Sequence, residues 1–154
     1  MRVALGSDER TELTDALERE LRSRGHEVRL FGALREGDDD AWPSVAHAVA
    51  RAVAGGECPF GVVCCWSGTG VSIAANKVNG VRAALCGDAE TAALARAYND
   101  ANVLALSLRS IAVPVGKAIL DAWFSSTPTQ DPKYHAMIST VEDIQSSASG
   151  VTPT

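Results

Sequence analysis

The stretch CCWSGTGVSIAANK, residues 64–77, sets two adjacent cysteines against a small-residue turn and a helix-forming run. A thiol reacts as its thiolate, and positive dipoles such as those of a helix N-terminus favour that form. Ser67-Gly68-Thr69-Gly70 supplies two hydroxyls and two glycines, and successive backbone N–H groups in such a turn form a concavity that receives a developing oxyanion. Cys65 in that setting suits removal of a proton next to a carbonyl, or covalent thiol chemistry. The bland alternative is a buried, inert cysteine ending a strand, with Gly68 and Gly70 making only a tight turn. The residues by themselves leave both readings open. Cys64, one residue away, points to the opposite face of a strand and into the core. Cys58 and Cys86 read as structural, and no cysteine spacing matches a zinc pattern.

The elements that must hold these residues alternate along the chain. Residues 3–7, 26–32, 60–65, 81–86 and 102–107 are short apolar runs that read as strands. Helices are expected over 11–23, 43–54, 72–77, 89–98, 113–124 and 132–146. Gly25 stops the first, and Pro43 is tolerated in the first turn of the second. Alternation of this kind implies an α/β fold, a Rossmann-like three-layer α-β-α sandwich around a five-stranded parallel sheet. Ligands of such sheets sit beyond the carboxyl ends of the strands. Those ends are Ser7-Asp8-Glu9, the Trp42 loop, Cys65 through Gly70, Cys86-Gly87-Asp88 and Ser107-Leu108-Arg109. Asp8 reads either as a ligand of substrate hydroxyls or as an ordinary helix cap.

The 154 residues form one domain, 1–146, with 147–154 as a flexible tail. A net charge of −5 gives no basic footprint, which argues against nucleic acid as a partner. No apolar run approaches the roughly 20 residues that span a bilayer. The polar start MRVALGSDER argues against a secretory segment, so no membrane partner and a cytoplasmic location are expected.

GTGVSIAANK, GVRAALC, YNDANVLALSLR and the opening VALGSDE together resemble the type B ribose 5-phosphate isomerase and galactose 6-phosphate isomerase family. The resemblance runs from Val3 to about Ile144. It implies a homodimer or tetramer with its site between subunits, interconverting an aldose phosphate and a ketose phosphate without metal or other cofactor. It makes Cys65 the base and keeps the Ser67 hydroxyl near the reacting carbons, with the backbone of Gly68, Thr69 and Gly70 facing the enediolate. Asn99 matches a residue that supports the enediolate, and Asp8 one that binds sugar hydroxyls. Arg109 keeps an arginine that contacts phosphate.

Several site positions depart from the family pattern. Tyr98 stands at a ring-opening histidine, and a phenol, with its ordinary pKa of about 10, is a poorer acid–base near neutrality than imidazole. Glu9 stands at a phosphate-side histidine, Lys133-Tyr134 at an Arg-His pair contributed by the partner subunit, and Met137 at a further arginine. Trp42 replaces a tyrosine, and Trp66 a glycine beside the thiol, where the indole adds bulk or stacks on a sugar face. The first reading is therefore an aldose–ketose isomerase of a sugar or sugar phosphate. The alternatives are an isomerase or epimerase of a non-phosphorylated or modified sugar, and a non-catalytic sugar- or nucleotide-binding relative. A thiol hydrolase lacks a histidine placed to pair with the cysteine.

Overall fold

In the computed structural model, which describes residues 1–148, strands and helices alternate as expected. The strands are β1 (Arg2–Ser7), β2 (Glu27–Gly32), β3 (Phe60–Cys65), β4 (Ala83–Leu85) and β5 (Val103–Ser107). The helices are α1 (Glu12–Ser23), α2 (Trp42–Ala54), α3 (Thr69–Ala75), α4 (Ala89–Asn99), α5 (Val113–Ser125) and α6 (Pro132–Ala148). Every strand pairing is parallel, in the order β2-β1-β3-β5-β4. The strand that carries Cys65 is thus central, and short β4 forms an edge.

The sheet separates two cores. On one face Leu13, Leu17 and Leu21 of α1 pack with Ile119, Leu120 and Trp123 of α5 and Ala92 and Ala95 of α4. On the other, Ala46, Val49, Ala50 and Val53 of α2 join Val71 and Ala75 of α3. α2 lies close to the strands because Gly6 and Gly61 leave room; a Cβ on either would come within 2.7 Å of Val49. Local chemistry sets the helix starts. Thr11 caps α1 by accepting from the N–H of Thr14, whose hydroxyl receives the N–H of Thr11 in return. Asp88 caps α4 through the N–H of Thr91.

Three elements differ from the sequence reading by more than one residue at an end. α3 begins at Thr69 rather than Ser72, so Thr69 and Gly70 are helical instead of loop. β4 is shorter than 81–86, although the Val103 N–H still donates to the Arg82 carbonyl and the Cys86 N–H to that of Ala105. α6 continues to Ala148, which takes residues 147 and 148 out of the expected tail; its remainder lies outside the described residues. Among the described residues no helix is long and apolar enough to cross a membrane.

Candidate active site

β3 ends with its two thiols on opposite faces. Cys64 is fully buried among Leu5, Leu104 and Leu106, and burial pushes its thiol far above the ordinary range. Cys65 belongs to the other face, is 5% exposed, and lines a cavity of about 300 Å³ with Asp8, Trp42, Trp66, Ser67, Thr69 and Gly70. The backbone around it is clamped by the chain leaving β5. The Leu108 N–H donates to the Cys65 carbonyl at 2.9 Å, while the Ser107 hydroxyl and the Arg109 N–H donate to that of Trp66 at 2.9 and 3.0 Å.

The turn into α3 depends on its glycines. Gly68 has φ 75°, and a Cβ there would lie 2.9 Å from the Leu106 carbonyl carbon. Left-handed backbone and close approach both require glycine. Its N–H donates to the Cys65 carbonyl at 3.2 Å, closing the turn beneath the thiol. At Gly70 a Cβ would stand 3.0 Å from the Trp42 ring, so the missing side chain lets the indole lie against α3 as a wall of the cavity. Gly68, the residue that opens α3, has no side chain to cap it, and the Ser67 hydroxyl accepts from the Thr69 N–H at 3.4 Å. The Ser67 and Thr69 hydroxyls are 2.6 Å apart and hydrogen-bonded to each other.

Asp8 is not a helix cap, since Thr11 fills that place. Its Oδ1 is buried without a hydrogen-bond partner in the described structure. Burial holds its carboxyl above the ordinary range, and the nearby charges of Glu9 and Asp40 act in the same direction. A hydroxyl group in the cavity would satisfy that oxygen. Glu9 is exposed beside the cavity but does not line it; its carbonyl accepts from the Ser7 hydroxyl at 2.7 Å. Arg109 is exposed on the same side and makes no ion pair with a described residue. Trp66 is 63% exposed.

The remaining predicted residues form a second group. Tyr98, Asn99, Tyr134 and Met137 line a groove of about 1100 Å³ between α4, β4 and α6. The Tyr98 and Tyr134 rings pack 4.7 Å apart, and Lys133 Nζ lies 5.7 Å from the Tyr134 centroid. This group does not meet Cys65 within one chain. Cys65 is paired with Ser107 at the carboxyl edge of the sheet, whereas Asn99 precedes Val103 at the amino edge. The four steps of β5 alone separate those edges by about 13 Å.

Sequence reasoning placed Ser107 at a carboxyl strand end without giving it the role of anchoring the Cys65–Trp66 backbone, and it missed Asp40, whose charge Asp8 feels. A polar residue closing an otherwise apolar strand was the available signal for Ser107. For Asp40 the signal was its place in the Trp42 loop, which leaves β2 at the same carboxyl edge as Asp8.

A profile of the family described as Ribose/Galactose Isomerase matches residues 3–140. The ribose-5-phosphate isomerase B of Escherichia coli is 44% identical over 103 residues, 67% of this chain and 68% of that protein. The D-erythrulose-4-phosphate isomerase of Pectobacterium atrosepticum is 35% identical over 125 residues, 80% of this chain and 82% of its own. Among solved structures, the Clostridium thermocellum ribose-5-phosphate isomerase B superposes with a TM-score of 0.88 at 35% identity, covering 96% of this chain and 99% of that one. Likeness at these levels, running from β1 into α6, means that the chain belongs to the ribose/galactose isomerase family.

Proposed function

We propose that the protein interconverts an aldose phosphate and a ketose phosphate of the ribose 5-phosphate and ribulose 5-phosphate type, with Cys65 as base and no metal. The observation that carries this reading is the placement of Cys65. Among the described residues it is the cysteine that lines the cavity at the carboxyl edge of the sheet, beside the first turn of α3. The Cys65 sulfur removes the proton from C2 of the open-chain aldose, and the electrons of that bond form the C1–C2 double bond. The negative charge on O1 meets the N–H groups of Thr69 and Gly70 in the first turn of α3. Return of a proton to C1, with loss of the O2 proton to O1, leaves the ketose. Asp8 holds a sugar hydroxyl, and Trp42 and Trp66 flank the carbon chain.

The working unit is a homodimer, which supplies Tyr98, Asn99, Lys133 and Tyr134 from one chain to Cys65 of the other. The separation of these groups across the sheet supports this. So does α6, where Met137, Val141 and Ile144 stand 51%, 51% and 66% exposed over an apolar groove. The name of the Pectobacterium relative indicates that substrate length varies within the family. We place the enzyme in the cytoplasm, in keeping with its four free cysteines.

A second reading, an isomerase or epimerase acting on a sugar without phosphate, is favoured by the acidic grouping of Asp8, Glu9 and Asp40. Turnover of paired free and phosphorylated pentoses separates the two. The proposed enzyme prefers the phosphorylated member and loses that preference in Arg109→Ala. Preference for the free sugar, unaffected by Arg109→Ala, establishes the second reading.

A further inference from the structure

The turn that follows Asn99 is built in an unusual way. Asp100 has φ 43° and ψ 45°, and among the described residues it is the one non-glycine with a positive φ. A helix that merely needs to stop there is served by glycine or asparagine. Asp100 instead presents a carboxylate that two arginines divide between them. Arg96 Nη1 donates to Oδ1 at 2.8 Å and Arg82 Nη2 to Oδ2 at 3.2 Å, while Arg82 Nε donates to the Asp100 carbonyl at 2.9 Å.

Both arginines are fixed to the body of the protein. Arg96 is 6% exposed, lies against the rings of Phe60 and Trp123, and also donates to the Ala101 carbonyl at 2.6 Å. The Arg82 backbone is held by Asn102, whose Oδ1 accepts its N–H at 2.8 Å and whose own N–H returns to the Arg82 carbonyl at 3.0 Å. Arg82 also reaches Glu142 of α6 at 3.1 Å. One guanidinium therefore references both the end of α4, with Tyr98 and Asn99, and α6, with Lys133 and Tyr134.

We infer that Asp100 is a positioning residue, which through Arg82 and Arg96 sets the angle at which Tyr98 and Asn99 leave α4 toward the partner's Cys65. This rests on the dimeric isomerase reading above. The carboxylate acts on the reaction only through the two residues it places, so its loss affects turnover more than substrate affinity.

Asp100→Gly keeps the left-handed turn and removes both ion pairs; Asp100→Asn keeps the shape and one acceptor. On the sugar that the wild type turns over, Asp100→Gly is expected to lower kcat about tenfold with KM changed by less than about twofold, and Asp100→Asn, which keeps one of the two acceptors, to recover only part of the loss. Arg82→Gln should lower kcat similarly and combine with Asp100→Gly less than additively. Backbone amide exchange, followed by mass spectrometry, should speed up over residues 96–102 in Arg82→Gln, where no glycine has been introduced, and stay unchanged over β3. A wild-type kcat in folded Asp100→Gly overturns the inference, as does unchanged exchange over 96–102 in Arg82→Gln. If the wild type turns over no sugar, the isomerase reading fails instead, and amide exchange still decides whether the arginine tie holds this turn.

Discussion

At the residue scale the two thiols of β3 offer a direct contrast, since adjacent strand residues face opposite sides of a sheet. Cys64 is packed and strongly desolvated; Cys65 opens on the cavity. Cys65→Ala should reduce isomerisation by about 10²–10⁴-fold, the range expected when a positioned acid–base group is lost, with melting unchanged. Cys64→Ser should leave turnover intact and lower the melting temperature, because it buries a hydroxyl where a thiol packed. Asp8 yields a prediction in pH. Its carboxyl is held above the ordinary range by burial, with Glu9 and Asp40 adding to the effect. As pH rises past about 4, the unfolded chain releases this proton before the folded one does, so the folded state loses stability until the folded value is passed. Asp8→Asn should therefore melt higher than wild type near neutrality, with the gap closing in acid, while binding sugar more weakly. The opposite faces of Cys64 and Cys65 follow from strand period alone and were legible in sequence. The isolation of Asp8 was not, because it depends on a loop some thirty residues away folding over it.

At the scale of elements, the alternation of apolar runs with helical periods was enough to order β1 through α6, and β3 was read to the residue. The start of α3 was missed because Gly68 and Gly70 both look like turn residues. Only Gly68 is one; Gly70 sits inside the helix, where its missing Cβ makes room for Trp42. Gly70→Ala places a methyl carbon 3.0 Å from that indole and forces it to shift. The expected result is a KM raised several-fold, roughly the effect of about 1 kcal/mol of misfit, with kcat little changed. α6 gives the second prediction at this scale. Its apolar residues Met137, Val141 and Ile144 recur at helical spacing, yet all remain exposed in the single chain. Met137→Asp should shift the protein from dimer to monomer in sedimentation and abolish turnover while the circular dichroism of the folded domain persists. A dimeric, active Met137→Asp protein would remove α6 from the interface.

For the whole molecule, the sheet itself separates the two halves of the predicted site. Cys65, Asp8 and Arg109 gather at the carboxyl edge, and Asn99 lies before the amino edge of β5, beyond what any side chain spans. The sequence carried every one of these residues but not their distance, which arises only when helices run back antiparallel to parallel strands. Heterodimers joining a Cys65→Ala chain to an Asn99→Ala chain, purified through a different tag on each, test the account most directly. Such a dimer pairs one intact Cys65 with one intact Asn99 at a single interface. Deuterium uptake from heavy water at C1 or C2 of ribose 5-phosphate should be nearly absent in both parent homodimers. It should return to about half the wild-type rate in the heterodimer, as two-fold symmetry requires. A heterodimer as inactive as its parents would contradict a site shared between chains, and undiminished exchange in the Cys65→Ala homodimer would contradict Cys65 as the base.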